Sequence, residues 1–344
     1  MKLLMITRKV DRGDSAAGFS YQWVAKLAAN LDRLSVICLE QGNIAGLPDN
    51  VEVYSLGKEL GRSRLRALWR WQKYARLLVP QVDGIFSHQN PEYGILIAPW
   101  AKYYKKKLIA WYTHGTVSWR LKLLDAVSDQ LLTASEDSLR LETPKKLVLH
   151  HGIDTEHFDF KPKAAGERLE LASVSRISRS KRLEDLISLV ERLSPRLPLH
   201  LKIAGGPVLG SEKAYFDELK FLVSHKKLES LISFVGPVPH QQVKELYQKA
   251  DVFINLSGTN SLDKAVLEAM SCGTLVLTTN PAFKSFFKGV GVNLYAQNMA
   301  ALIDKIEELA KQSDRLSLQT NLRRIITDHH DLRKLMQKIV SLYK

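Results

Sequence analysis

The segment DVFINLSGTNSLDKAVLEAMSCGTLVLTT, residues 251–279, reads as strand, polar loop, helix, glycine and strand in immediate succession. Val252 to Leu256 is a short apolar run without alternation, the signature of a strand covered on both faces. Small polar residues from Ser257 to Ser261 form the loop, and the spacing over 262–271 is helical. Backbone N–H groups at the start of such a helix lack partners inside it and can bind the oxygens of an anion. Glu268 is the single carboxylate among Ala265, Val266, Leu267, Ala269 and Met270, and a carboxylate on an apolar helix face is costly unless paired. Two adjacent hydroxyls of a ligand would satisfy it bidentately, and a structural salt bridge would do so equally well.

The same rhythm extends outward from this segment. Upstream, LELASVS, LHLKIAGG and SLISFVG are candidate strands, separated by helices predicted from about 182, from about 213 and near 240–250. An earlier series begins with KLLMIT and a helix near 18–31, and continues through LSVICL, VEVYSL, GIFSH (84–88), KLIAWYT (107–113), QLLTAS (130–135) and KLVLHH (146–151). Continuous apolar strands alternating with amphipathic helices predict an α/β fold of two Rossmann-like, doubly wound domains. The 156–168 stretch, with Pro162, Gly166 and mixed charge, is the expected linker. The expected division is 1–160, 161–322 and a closing helical segment at 323–344. Two domains are also the natural expectation for 344 residues. In such open sheets ligands sit beyond the carboxyl ends of the strands, so the loops there are where chemistry is sought.

Composition narrows the classes. Apolar residues make up 45% and charged residues 25%, which excludes a disordered chain. Cys38 and Cys272 lie far apart in apolar runs, which argues against a disulfide framework and a thiolate metal site and fits a cytoplasmic location. The N-terminal apolar stretch is interrupted by Arg8 and Lys9, and no run approaches the roughly 18 apolar residues of a spanning helix. The formal charge is +14, with 22 Lys or Arg against 14 Asp or Glu in residues 1–150. That balance favours an anionic partner, and charge alone does not choose among nucleic acid, an acidic lipid surface and a phosphorylated substrate.

Three further loops matter. Ala17 and Gly18 close the loop RKVDRGDSAAGFSYQWV before a helix, where backbone can approach a ligand at the positive helix terminus; an ordinary strand-to-helix turn explains them equally well. His114 closes KLIAWYTHGTVSW and would emerge at a strand's carboxyl end, able to hydrogen-bond a hydroxyl or relay a proton, or simply to be structural. Arg176, Arg179, Lys181 and Arg182 crowd the turn SVSRISRSKRLEDLI. Four cations there repel one another unless an anion joins them, and a departing diphosphate is such an anion; a solvated basic loop is the plainer account.

Taken in order, these residues resemble the family 4 glycosyltransferases, retaining enzymes of GT-B fold whose two domains face each other across a cleft. The resemblance runs through Gly18, His114, HGID at Gly152 to Asp154, Arg176 with Lys181, IAGGP (203–207), FVGPVP (234–239) and VLEAMSCG (266–273). It implies that Arg176 and Lys181 hold the donor diphosphate as catalytic groups, that His114 faces the transferred sugar, and that Glu268 binds the ribose. Donor contacts are further implied at Gly18, Gly205, Leu267 and the backbone near Val235 and Pro237. The family's Glu, seven residues, Glu signature has Asn260 in its first position here. An amide hydrogen-bonds a sugar but cannot act as a base or carry charge, so Ser261, Leu262, Asp263 and Lys264 are expected to supply donor contacts in a variant subgroup. A second departure is Ser175, where the family commonly has Gly. No metal or cofactor is expected, since no paired carboxylates or His and Cys cluster has ligand spacing.

Residues 58–79, KELGRSRLRALWRWQKYARLLV, carry seven Lys or Arg against one Glu, interleaved with Leu65, Leu68, Trp69, Trp71, Tyr74 and Leu78. Such a basic amphipathic helix can lie on an anionic membrane face, placing the enzyme on the inner surface beside a lipid-linked or polysaccharide acceptor; packing on the N-terminal sheet is the competing account. Tyr103, Tyr104 and Lys105 to Lys107 could add to that face. Other functions fit less well. A nucleotide-sugar 2-epimerase needs acid and base residues, and the 257–262 loop offers none. A nucleic-acid-binding protein lacks any recognisable motif, so nucleic acid is not an expected partner. A degenerate sugar-nucleotide binder is motivated by Asn260 alone.

Overall fold

The computed structural model describes every residue except Ala16, Arg62, Ala165, Asn260 and Ser313. The chain forms two compact units, residues 1–154 with 331–344, and residues 155–330.

The first unit is built from β1 (Lys2–Val10), α1 (Gly18–Ala28), β2 (Arg33–Gln41), β3 (Val51–Ser55), α2 (Arg64–Leu78), β4 (Gly84–His88), α3 (Pro91–Tyr103), β5 (Lys107–Trp111), α4 (Trp119–Val127), β6 (Gln130–Thr133) and β7 (Lys146–Val148). All strands are parallel in the order β3-β2-β1-β4-β5-β6-β7. Leu3 to Ile6 in β1 and all of β4 are buried without alternation, because helices cover both faces. One face packs Trp23, Val24 and Leu27 of α1 against Leu3, Met5 and Phe86, and the other packs Trp71, Ala75 and Leu78 of α2 against Leu4, Ile6 and Ile85.

The second unit follows the same plan with β8 (Leu169–Val174), α5 (Leu183–Leu193), β9 (Leu199–Ala204), α6 (Gly210–His225), β10 (Ile232–Gly236), α7 (Val243–Lys249), β11 (Val252–Asn255), α8 (Lys264–Cys272), β12 (Leu275–Thr278), α9 (Ala282–Gly289), α10 (Met299–Lys311) and α11 (Arg315–His329). Its parallel sheet runs β10-β9-β8-β11-β12. A buried ion cluster ties it together: Asp251 accepts from Arg315 at 3.3 Å and Lys163 at 3.0 Å. α12 (Leu332–Ser341) then returns to the first unit, where Leu335, Met336 and Ile339 join the α1 side of the core.

The α/β architecture expected from the strand rhythm is therefore present twice, and every strand expected from the sequence forms. In each sheet the strand order reverses beside the first strand, between β1 and β4 and between β8 and β11. Loops on the two sides of such a switch point diverge and leave a crevice at the carboxyl ends. The single helix expected over 58–79 is instead a short turn at Lys58–Leu60 followed by α2, because Gly57 (φ 89) and Gly61 (φ 65) adopt left-handed backbone and Ser63 caps the new helix.

Candidate functional site

In the second unit the loops after β8 and β11 are the two that flank the switch point. The first carries Arg176 and Lys181; the second, Ser257 to Asp263, leads into α8. Gly205 lets the β8 loop sit where it does. With φ +136, a Cβ there would lie 1.8 Å from the Ser175 carbonyl oxygen, so only glycine fits against the backbone preceding Arg176. Gly206 in turn packs under Pro237, where a Cβ would stand 2.7 Å from the ring.

Arg176 is half-exposed and its Nε lies 3.5 Å from Glu212 at the start of α6. Burial would raise the Glu212 carboxyl, but hydrogen bonds from the Leu209 and Val208 amides and the charge of Arg176 hold it below the usual glutamate value. Lys181 is mostly buried and reaches across the crevice: its Nζ donates to Asp263 Oδ1 at 2.8 Å and lies 3.3 Å from Ser257 Oγ. The two loops are thus joined by a charge pair.

Asp263 is the N-cap of α8, yet its side chain makes no capping hydrogen bond. Its second oxygen accepts from Asn255 Nδ2 at 3.0 Å and lies 3.5 Å from Asn280 Nδ2. Asn255 accepts from Thr278 Oγ1, and Asn280 donates to the Ser261 carbonyl, so the ends of β11 and β12 brace the loop from below. Ser257, Thr259 and Ser261 form a short hydroxyl chain along it. Asn260 lies outside the described residues. Leu262 and Leu267 are buried, Leu267 completely.

Glu268, one turn into α8, is 6% exposed and already paired within the protein. Oε1 receives His240 Nε2 and Oε2 receives the Tyr247 hydroxyl, both at 3.0 Å. Burial would raise this carboxyl, but His240, Tyr247 and Lys264 outweigh it and hold it below the ordinary value. The reverse happens at Lys264, where burial pushes the ammonium down to about 8 against the pull of Glu268.

The other candidates are distributed as follows. Val235, in β10, is exposed, and Pro237 follows the left-handed Gly236 at that strand's end. Gly18 and His114 belong to the first unit: Gly18 is the buried first residue of α1, and His114 is an exposed residue beyond β5, its ring 5.7 Å from that of Tyr112. The residues surrounding the site that the sequence did not single out are His240, Tyr247, Asn255, Asn280 and Glu212. All five are buried, and each brings a polar group to the site, Tyr247 through its hydroxyl. Among the described residues, no group of three or more His, Cys, Asp or Glu side chains could hold a metal ion, and no helix is long and apolar enough to cross a membrane.

Residues 154–326, half of the chain, match the family described as Glycosyl transferases group 1. The gpi3 subunit of phosphatidylinositol N-acetylglucosaminyltransferase from Schizosaccharomyces pombe is 25% identical over 139 residues, 40% of this chain and 29% of that protein. The chain thus spans less than a third of the length of that curated relative. Among solved structures, Anabaena HepE in complex with UDP superposes with a TM-score of 0.78 at 17% identity, covering 99% of both chains. Sucrose-phosphate synthase from Thermosynechococcus elongatus gives 0.75 at 16% identity, covering 100% of this chain and 98% of the other. These likenesses show a shared GT-B fold.

Proposed function

The chain belongs to the group 1 glycosyl transferases, and from that premise we propose that it moves a sugar from a nucleotide-diphosphate sugar to an acceptor hydroxyl with retention of configuration, as a family 4 enzyme in which Asn260 replaces the first motif glutamate. The observation that carries this reading is that Lys181, on the same loop as Arg176, pairs across the switch point with Asp263 at the uncapped amino end of α8. Cations and helix-terminal amides are what a diphosphate needs.

The bond between the anomeric carbon and the diphosphate oxygen breaks, leaving negative charge on that oxygen, which Arg176 and Lys181 neutralise without a metal. The acceptor oxygen attacks the same face of the sugar, and its proton passes to the leaving oxygen. His114 hydrogen-bonds the transferred sugar, and the loop from Ser261 to Lys264 supplies further donor contacts. A ribose hydroxyl takes one of the acceptor positions that Glu268 retains beyond His240 and Tyr247. HepE has been solved with UDP and with UDP-glucose, which supports a nucleotide-sugar donor here.

A thermal-shift panel of UDP-, GDP- and ADP-sugars tests the reading. The cognate donor at a hundred times its dissociation constant adds roughly 2.7 kcal/mol of stability. Arg176→Ala and Lys181→Ala should each weaken it by at least about tenfold, the size of a charge-assisted hydrogen bond. No stabilisation by any of the three sinks the proposal.

A second part of the proposal concerns the acceptor. On α2, Trp71, Ala75 and Leu78 pack inward, but Leu65 (80% exposed) and Trp69 (65%) stay in solvent beside Arg66, Arg70 and Lys73, which line a hollow of about 230 Å³. Apolar side chains left out of the core among cations fit an anionic membrane surface and hence a lipid-linked acceptor. The name of the Schizosaccharomyces pombe relative, with phosphatidylinositol in it, agrees with such an acceptor. Arg66→Glu, Arg70→Glu and Lys73→Glu together should abolish sedimentation with anionic liposomes; retained binding would remove the membrane role.

A further inference from the structure

Asp263 occupies the position from which a carboxylate normally caps a helix, and it does not cap. Lys181 at 2.8 Å and Asn255 at 3.0 Å draw it away. Two consequences follow. The first turn of α8 is left without a side-chain cap, open to a ligand's oxygens. A fixed negative charge also stands beside the ammonium that a diphosphate would use, and Asn255 and Asn280, both nearly or wholly buried, keep it there.

We infer that Asp263 is a release residue: it competes with the nucleotide diphosphate for Lys181, and so speeds departure of the product while costing the donor little. This rests on the donor site proposed above. The physical basis is a change of charge during turnover. In the donor, the terminal phosphate is esterified to the sugar; after transfer that oxygen is free and the diphosphate carries one more negative charge at neutral pH. A carboxylate held at the site repels the product more than the donor, and Lys181 passes back to Asp263 as the product leaves.

The test uses the full chain. Asp263→Asn is compared with the unaltered protein by calorimetric titration of UDP and UDP-glucose, with GDP and GDP-mannose run in parallel. The free diphosphate should bind at least about tenfold tighter to the variant, the size of a partly screened charge interaction, and the sugar diester should gain less. Turnover should become more sensitive to inhibition by the free diphosphate. Asp263→Ser, also neutral but shorter, must shift both ligands in the same direction, which separates loss of charge from a disturbed loop. Weaker or unchanged binding of the free diphosphate in both folded variants overturns the inference. An unaltered protein that binds none of the four ligands would instead sink the donor site itself.

Discussion

Lys264 shows how far a single residue's environment reaches. Its ammonium is pushed down to about 8 by burial, from about 10.4 in an unfolded chain. Between those values the unfolded chain binds more protons than the folded one, so stability rises with pH across the window; below about 8 both forms are charged and the full cost of burial stands. An anionic ligand favours the charged form. UDP affinity should therefore fall as pH rises through that value, by about tenfold near pH 9, while Lys264→Met should show a flatter profile. A flat profile in the unaltered protein would remove Lys264 from the diphosphate site. Glu268 was legible from sequence as a carboxylate too costly to leave alone, but its partners His240 and Tyr247 were not, since they come from 28 and 21 residues upstream and meet it only through packing. Replacing Glu268 with Ala strands both of those buried groups and should cost about 2–3 kcal/mol, besides weakening the nucleotide.

At the scale of elements, what positions the site is the exit of β9. Gly205 lies beneath the β8 loop with φ +136, and no L side chain fits between it and the Ser175 carbonyl. Gly205→Ala should cost about 3 kcal/mol or more and weaken diphosphate binding by displacing the backbone next to Arg176. Urea denaturation with UDP titration measures both, and a neutral substitution would mean that the loop relaxes freely. The strands themselves could be placed from sequence because strands covered on both faces leave unbroken apolar runs, as in Leu3–Ile6 and Leu275–Leu277. α9 gave no such signal: it spans eight residues, two of its phenylalanines are buried, and it begins directly after Pro281. The break before α2 is hidden for a related reason: the amphipathic spacing of 58–79 runs across it, and the left-handed backbone of Gly57 and Gly61 is visible only in the fold.

For the whole molecule, the path of the chain has a consequence that ordinary probes can follow. It leaves the first unit after Asp154 and returns at Asp331, so the first unit's core is completed only by the last helix. Gly152 is pressed against Leu332, where a Cβ would stand 2.5 Å from its Cδ1, and the Tyr343 hydroxyl donates to the Ile85 carbonyl at 2.7 Å. Met336 is completely buried in the cluster containing Trp23 and Trp111. All six tryptophans lie between residues 23 and 119, whereas Arg176, Lys181 and α8 lie in the second unit. Tryptophan fluorescence thus reports the first unit, and nucleotide affinity reports the second. Met336→Ala should destabilise the first by about 2–5 kcal/mol, lowering the fluorescence-monitored urea midpoint, while the dissociation constant for UDP stays within a factor of about two. A fall in UDP affinity comparable to that of Lys181→Ala would instead mean that the donor site depends on the first unit's core, and the second unit could no longer be treated as carrying the diphosphate on its own residues.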